Sequence, residues 1–286
     1  MVEQRNVTLV VGATGNVGRE VVSRLADAGQ PVRAFVRDPR SADFPEGVAV
    51  VQGDLTRPES LEPAMTGVES VFLVWPFLPT EDADPIVDVI RSHARKVVYL
   101  SSAGVDDDKE DQGDPINQFH KHLERLIADS GVEWTFLRCT SFAASLLEWA
   151  DQVREGVVRE AFGEATRTLI HERDIADVAF KALADDAYMG RKLMLSGTAP
   201  LSQIEQVRII GEALGRPVDF EEIPQDTVRE HMRAEGWEDQ DIDGMFAAYT
   251  NMSTMSQPVW KTVEEVTGKP ARTFHQWVVD HAKDFE

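Results

Sequence analysis

Cysteine, tyrosine and positive charge are all scarce in this chain. A single cysteine, Cys139, admits neither an internal disulfide nor a Cys-x-x-Cys redox or zinc pair, which points to a reducing, cytoplasmic setting. Lysine and arginine number 29 against 50 aspartates and glutamates, a formal charge of -21. Such a surface repels a phosphate backbone and releases none of its counter-ions, so nucleic acid is excluded as a partner. Long hydrophobic runs are missing too. The most continuous, Val71 to Leu78, contains Pro76 and falls far short of the roughly 20 residues of a membrane-spanning helix. The amino terminus carries Glu3 and Arg5, and its apolar run Val7 to Val11 leads into a glycine loop where an export signal would have a small-residue cleavage site, so neither export nor a membrane is expected.

What is present suits a two-part α/β protein. The 286 residues correspond to about two units at roughly 150 residues each. Short β-branched runs recur at Val7 to Val11, Val32 to Val36, Val48 to Val51, Val71 to Trp75, Val97 to Leu100 and Trp134 to Leu137, separated mostly by stretches with helical spacing. Val17, Val21, Val22 and Leu25 share one face of the first such helix. Strands alternating with helices, and strands apolar on both faces, predict a Rossmann-type doubly wound parallel sheet. Residues 1–150 are read as this dinucleotide-binding domain. Residues 151–286 are read as a smaller, mainly helical substrate-binding cap interleaved with it. A helix is expected at Phe142 to Gln152 and another at Asp174 to Ala184, with strands at Lys192 to Leu195 and Val218 to Glu221. Nine acidic and two basic residues between Glu221 and Asp243 predict exposed helices with a narrow apolar face.

Gly12-Ala13-Thr14-Gly15-Asn16-Val17-Gly18 follows the first strand and opens the first helix, the context a dinucleotide fingerprint requires. Gly12 makes the turn, Gly15 lets the backbone approach a pyrophosphate, and Gly18 lets the helix pack closely. About 20 residues further on, where an NAD site has an acid for the ribose hydroxyls, the chain reads Arg37-Asp38. A guanidinium there suits a ribose 2′-phosphate, which favours NADP(H). Asp38, one residue along, keeps NAD(H) open.

These segments, with Gly53-Asp54-Leu55, Val71 to Pro76, Ser101-Ser102-Ala103-Gly104 and His120 to Glu124 in that order, resemble the NmrA-like branch of the atypical short-chain dehydrogenases/reductases. The likeness continues through Trp134 to Arg138, Asp174 to Asp177 and Ala213 to Arg216, nearly the whole chain. It implies a cofactor crossing the carboxyl ends of the strands, held by Gly12, Thr14, Gly15, Asn16, Val17, Gly18, Arg37, Asp54 and Leu55. It also places Trp75, Pro76, Phe77, Ser101 and Ser102 along the cofactor's path. The segment after Arg138 would border the nicotinamide, which makes Cys139 a candidate contact, although a lone cysteine closing an apolar strand reads more naturally as a small buried hydrophobe.

The Tyr-x-x-x-Lys pair with which ordinary short-chain dehydrogenases donate a proton is absent. Tyr188 and Lys192 have the spacing but fall in a late turn. At the expected helix stand His120 and Glu124 instead, as in the family's quinone reductases. His120 is the candidate proton handler on the expectation that it titrates near neutrality, while Lys121, about 100° around the helix, is read as solvated. Phe77, Phe142, Trp149, Met245 and Tyr249 are expected to shape an apolar pocket. His171-Glu172-Arg173-Asp174 is read as a helix start, not a metal site. The function expected is hydride transfer from NAD(P)H to an electron-poor aromatic or quinone-like molecule, with natural-product tailoring as a reasonable setting. A non-catalytic redox sensor that docks a partner protein is the alternative, and an epimerase-like use of bound cofactor ranks last. Monomer and homodimer are equally compatible with the chain.

Overall fold

The computed structural model describes residues 6–76, 83–255 and 257–286. In chain order the elements are β1 (Val7–Val11), α1 (Asn16–Asp27), β2 (Val32–Val36), β3 (Ala49–Gln52), β4 (Val68–Leu73), α2 (Ala83–His93), β5 (Lys96–Ser102), α3 (Pro115–Asp129), β6 (Glu133–Cys139), α4 (Ala150–Glu155), β7 (Val157–Glu160), β8 (Thr166–Arg167), α5 (Glu172–Ala184), β9 (Arg191–Leu195), β10 (Leu201–Ser202), α6 (Gln203–Leu214), β11 (Asp219–Glu222), α7 (Gln225–Ala234), α8 (Asp239–Thr254), α9 (Thr262–Thr267) and α10 (Phe274–Asp280).

Two units share these elements: Met1–Cys139 with Glu172–Leu195 and Thr262–Lys269, and Thr140–His171 with Ser196–Lys261 and Pro270–Glu286. The first break therefore comes after β6, ahead of the expected boundary at residue 150, and the chain returns twice to the first unit. The reason lies in the pairing: β9 hydrogen-bonds in parallel to β6, with Leu137 opposite Leu193, so a late segment completes the early sheet.

Among the described residues, the first unit holds a seven-stranded sheet in the order β3-β2-β1-β4-β5-β6-β9, every pairing parallel. Every residue of β1 is buried, as a strand covered on both faces requires. The order reverses direction between β1 and β4, and the crevice at such a switch point is where open α/β sheets bind ligands. Register aligns the ends, because Val11 sits opposite both Phe35 and Leu73. Leu9, Val71, Tyr99 and Phe136 form one core on the α2–α3 side. On the other, α1 packs on α5 with Arg24 Nε 2.9 Å from Asp177.

The second unit carries two small sheets, β10–β8 antiparallel and β11–β7 parallel. Its core gathers Trp149, Val158, Ile210, Trp277 and Phe285. The expected helix over 142–152 is divided: Ala143–Trp149 is a 3-10 turn and only Ala150–Glu155 is α-helical, closed by Gly156 at φ 86°. Capping boxes at Ser202/Glu205 and Thr273/Gln276 start α6 and α10 by satisfying otherwise unpaired N–H groups. Among the described residues no helix is long and apolar enough to cross a membrane.

Candidate cofactor and active site

The loop after β1 is built for close approach. Gly12 turns the chain at φ 77°, and its carbonyl accepts the Gly15 N–H at 3.0 Å. A Cβ on Gly18 would stand 2.0 Å from that carbonyl oxygen, and one on Gly12 would stand 2.9 Å from Val74 Cβ. The loop therefore rests on the end of β4, and Val74, which no sequence motif singles out, is its floor. Thr14, Gly15 and Asn16 form the exposed tip, whereas Val17 and Gly18 are buried, so Val17 presents backbone and not side chain to the loop. No side chain caps α1, and its first turn holds no acidic residue. The unclaimed N–H groups and the positive end of the helix dipole together suit a phosphate. A cradle that a Cβ would fill fits the pyrophosphate of a dinucleotide.

At the end of β2, Arg37 is exposed and its carbonyl accepts from Gln52 Nε2 at 3.0 Å. Asp38 is engaged by Arg40, whose Nε and Nη2 each donate to it at 2.9 Å, and this bond holds the Asp38 carboxyl below the usual carboxylate range. Two guanidinium groups thus accompany one already-bonded carboxylate, a balance that suits a 2′-phosphate better than ribose hydroxyls. Arg40 escapes a sequence reading that stops at the first basic residue past β2. Past β3, Asp54 accepts the Thr56 N–H at 3.0 Å, which lowers its pKa. Leu55 is buried.

Trp75 is buried in the core and Pro76 exposed just past β4; Phe77 lies outside the described residues. Ser102 donates to Asn117 Oδ1 at 2.7 Å and accepts the Gly104 N–H at 3.1 Å, tying the end of β5 to the start of α3. Ser101 turns inward: its hydroxyl donates to Glu124 Oε1 at 2.6 Å, so its side chain is committed to the core. Cys139 is buried, and burial pushes its thiol well up from the ordinary value. That makes it the small hydrophobe of the sequence reading and not a reactive thiol.

His120 and Glu124 do not act as a pair. Glu124 is held by Arg138, with Nε at 2.9 Å and Nη2 at 2.6 Å. Arg138 in turn reaches Asp107 at 2.7 Å, and Asp107 receives Lys192 Nζ at 2.6 Å. Lys121, expected to be solvated, instead donates to the backbone carbonyls of Asp106, Asp107 and Lys109, pinning the loop ahead of α3. His120 Nδ1 lies 2.7 Å from the Tyr99 hydroxyl, a partner that a strand-embedded tyrosine gives no reason to suspect. Burial lowers the His120 pKa to about 4, and burial raises that of Tyr99 well above its ordinary value. The expectation of titration near neutrality is thereby corrected. At neutral pH both groups are therefore uncharged, and the phenol and Nδ1 share one hydrogen bond.

In the second unit, Phe142 is half-buried beside Ile170. Trp149 is 2% exposed and its indole N–H donates to Glu160 at 3.2 Å, which makes it core and not pocket wall. Met245 packs on the small cluster of Met232, Ile242 and Phe246, and Tyr249 stacks on Phe162 at 5.5 Å. His171 lies 3.2 Å from Asp280, directly ahead of the start of α5 at Glu172.

Residues 12–186 match the model of the NAD(P)H-binding family. The chain belongs to that family. A (4-alkanoyl-5-oxo-2,5-dihydrofuran-3-yl)methyl phosphate reductase of Streptomyces griseus is 39% identical over 97% of this chain and 98% of its own. An NAD(P)H azoreductase of Xenophilus azovorans is 32% identical over 97% and 98%. The NADPH-dependent quinone oxidoreductase of Escherichia coli, solved with NADPH, shares the fold at a TM-score of 0.77 and 20% identity, covering 97% of this chain and 99% of that one. The NmrA-like resemblance therefore holds, and the chain is an NAD(P)H-dependent reductase.

Proposed function

We propose that this reductase uses NADPH and delivers hydride to an electron-poor acceptor, aromatic or quinone-like, of the kind met in natural-product tailoring. The observation that carries the reading is the state of the helix where a proton-donating dyad would stand. His120 is neutral and bonded to Tyr99, and Glu124 is locked to Arg138. No group there is poised to deliver a proton at neutral pH, so the acceptor must tolerate hydride first and take its proton from water afterwards.

Bound NADPH supplies the hydride. In the chain itself, Gly12, Gly15, Gly18 and the start of α1 would hold the pyrophosphate, Arg37 the 2′-phosphate and Asp54 the adenosine side. Ser102, fixed by Asn117, would border the cofactor's path, and with the Tyr99 phenol donating to Nδ1 the His120 Nε2–H would be a neutral donor that can polarise an oxygen without protonating it. The compounds for which the two relatives are named, an alkanoyl dihydrofuranone phosphate and an azo compound, both contain electron-poor double bonds, which supports the reading. The test is stopped-flow absorbance of bound NADPH mixed with a panel of quinones, azo dyes and conjugated furanones. Single-turnover loss of the reduced signal is expected with at least one class, and a saturated protein that oxidises no NADPH with any of them would overturn the proposal.

A further inference from the structure

Tyr99 is a core residue with one polar atom to satisfy. It is fully buried in β5, within the apolar core on the α2–α3 side of the sheet, and its ring stands edge-on to Phe136 at 6.1 Å. Among the described residues the phenol oxygen meets a single hydrogen-bond partner, His120 Nδ1 at 2.7 Å. The charge of Glu124 reaches the phenol, but the carboxylate is taken by Ser101 and Arg138. A buried phenol needs an acceptor for its proton. If Nδ1 were the donor, the O–H would be left unmet in the core, a penalty that disfavours that arrangement by about tenfold or more. If the phenol donates, both atoms are satisfied and the proton of the neutral ring goes to Nε2.

The other edge of the imidazole is open. Among the described residues Nε2 makes no hydrogen bond, and it does not number among the buried side-chain atoms that lack one. Phe119 packs edge-on against the ring at 4.9 Å, and Asp114, the carboxylate whose charge reaches it, already receives the backbone N–H and the Nδ2 of Asn117. Asn117 lies three positions before His120 on α3, hence on the same face, and it accepts from Ser102 at the carboxyl end of β5. His120 therefore stands one helical turn from the end of the sheet at which open α/β folds bind ligands.

We infer that Tyr99 is a positioning residue: by donating to Nδ1 it fixes His120 as an Nε2–H donor, so that the acceptor is met through a lone pair on a carbonyl oxygen or azo nitrogen and not through an ammonium or other donor-only group. A donor fixed in advance needs no reorganisation as negative charge gathers on that atom during hydride transfer. The inference rests on the reductase reading for the acceptor, but the tautomer is testable without turnover. The test is long-range proton–nitrogen correlation at neutral pH on the full chain, isotopically labelled on its histidine nitrogens, with His120→Ala assigning the signal among the seven histidines. The wild type should show His120 in the Nε2–H form alone. Tyr99→Phe, which keeps the ring and its packing, should show both tautomers. Adding tetramethylbenzoquinone to the protein loaded with NADP+, which has no hydride to give, should shift the His120 Nε2 signal. In single turnover from NADPH, Tyr99→Phe should slow reduction of that quinone about tenfold, the worth of one aligned hydrogen bond, with NADPH affinity unchanged. In a His120→Ala background it should slow it no further, whereas a purely structural role would slow both. An Nδ1–H signal in the wild type, a Tyr99→Phe protein still wholly Nε2–H, or an Nε2 signal unmoved by the quinone would overturn the inference. If the tautomer and the quinone shift are as expected but NADPH is never oxidised, the positioning stands and the reductase reading falls. If wild type and Tyr99→Phe reduce the quinone equally fast, the reductase reading stands and the positioning falls.

Discussion

The Arg138 guanidinium and the Glu124 carboxylate meet through two bonds, 2.9 and 2.6 Å long, with each residue 4% exposed. Both face inward from the end of β6 and the middle of α3, so the pair clamps the helix that carries His120 to the strand beside it. Breaking one half of such a pair leaves a buried charge under-compensated, at a cost of about 3 kcal/mol. Glu124→Gln should lower stability by about that amount in urea denaturation, softened by the remaining Asp107 contact. The double variant Glu124→Gln with Arg138→Met should recover part of the loss, since the orphaned charge goes with it. An unchanged urea midpoint in Glu124→Gln would show that the pair is not holding the helix.

Gly18 has no room for a methyl group, with the Gly12 carbonyl oxygen 2.0 Å from where its Cβ would be. Gly18→Ala must push α1 away from the loop, displacing the N–H groups that would face the phosphates. The strain of such overpacking is about 1–3 kcal/mol. The expected outcome is a modest fall in melting temperature with a loss of NADPH affinity of about tenfold or more, read by quenching of tryptophan fluorescence. Gly113, at φ 74° with nothing within 4 Å of its would-be Cβ, provides the control: Gly113→Ala should cost some stability through its backbone and leave NADPH affinity intact.

Much of the first unit is legible in the sequence because its signals are local. A strand buried on both faces must be apolar along its length, so β1, β2 and β5 show themselves in Val7 to Val11, Val32 to Val36 and Val97 to Leu100. The glycine loop is visible because Gly12 holds a positive φ and Gly15 and Gly18 answer a steric demand within a few residues. What fails to show is whatever depends on distant partners. Glu124 meets Arg138 fourteen positions on, and Tyr99 meets His120 across 21; no spacing rule predicts either. Depth is equally hidden. The sequence provides the ordinary pKa of a histidine but not the burial that lowers it, and it marks Trp149 as apolar without saying whether it lines a pocket or fills a core. The chain's return to the first unit is hidden as well, because β9 pairs with β6 from more than fifty residues away.

We propose that the choice between the two nicotinamide cofactors turns on Arg37. It is exposed past β2, while the Asp38 carboxylate beside it is bonded by Arg40. Arg37→Glu replaces a partner for a 2′-phosphate by a repelling charge. NADPH affinity should fall by about tenfold to a hundredfold, in line with loss of a charge-assisted hydrogen bond, while NADH affinity changes little or rises. Fluorescence titration with both cofactors decides it, and a parallel fall for NADPH and NADH would place Arg37 outside the 2′-phosphate site.

His120 also makes a prediction about pH. Its folded pKa is lowered to about 4 by burial, against an ordinary value of 6.5, so the unfolded chain takes up the proton first as the solution is acidified. The stability that comes from keeping this imidazole neutral is fully present above pH 6.5 and is lost as pH falls toward 4, by about 3 kcal/mol at most. The carboxylates Asp107 and Asp186, both held near 2 by their cationic partners, surrender their contributions only below the usual carboxylate range, outside this window. Glu148 and Glu160 titrate alike in wild type and variant and cancel in the difference. Urea denaturation of wild type and His120→Asn between pH 7 and pH 4.5 should therefore show the wild type losing stability more steeply on the acid side. Parallel curves would mean that burial does not keep the ring neutral, and would restore His120 as an acid available near neutrality.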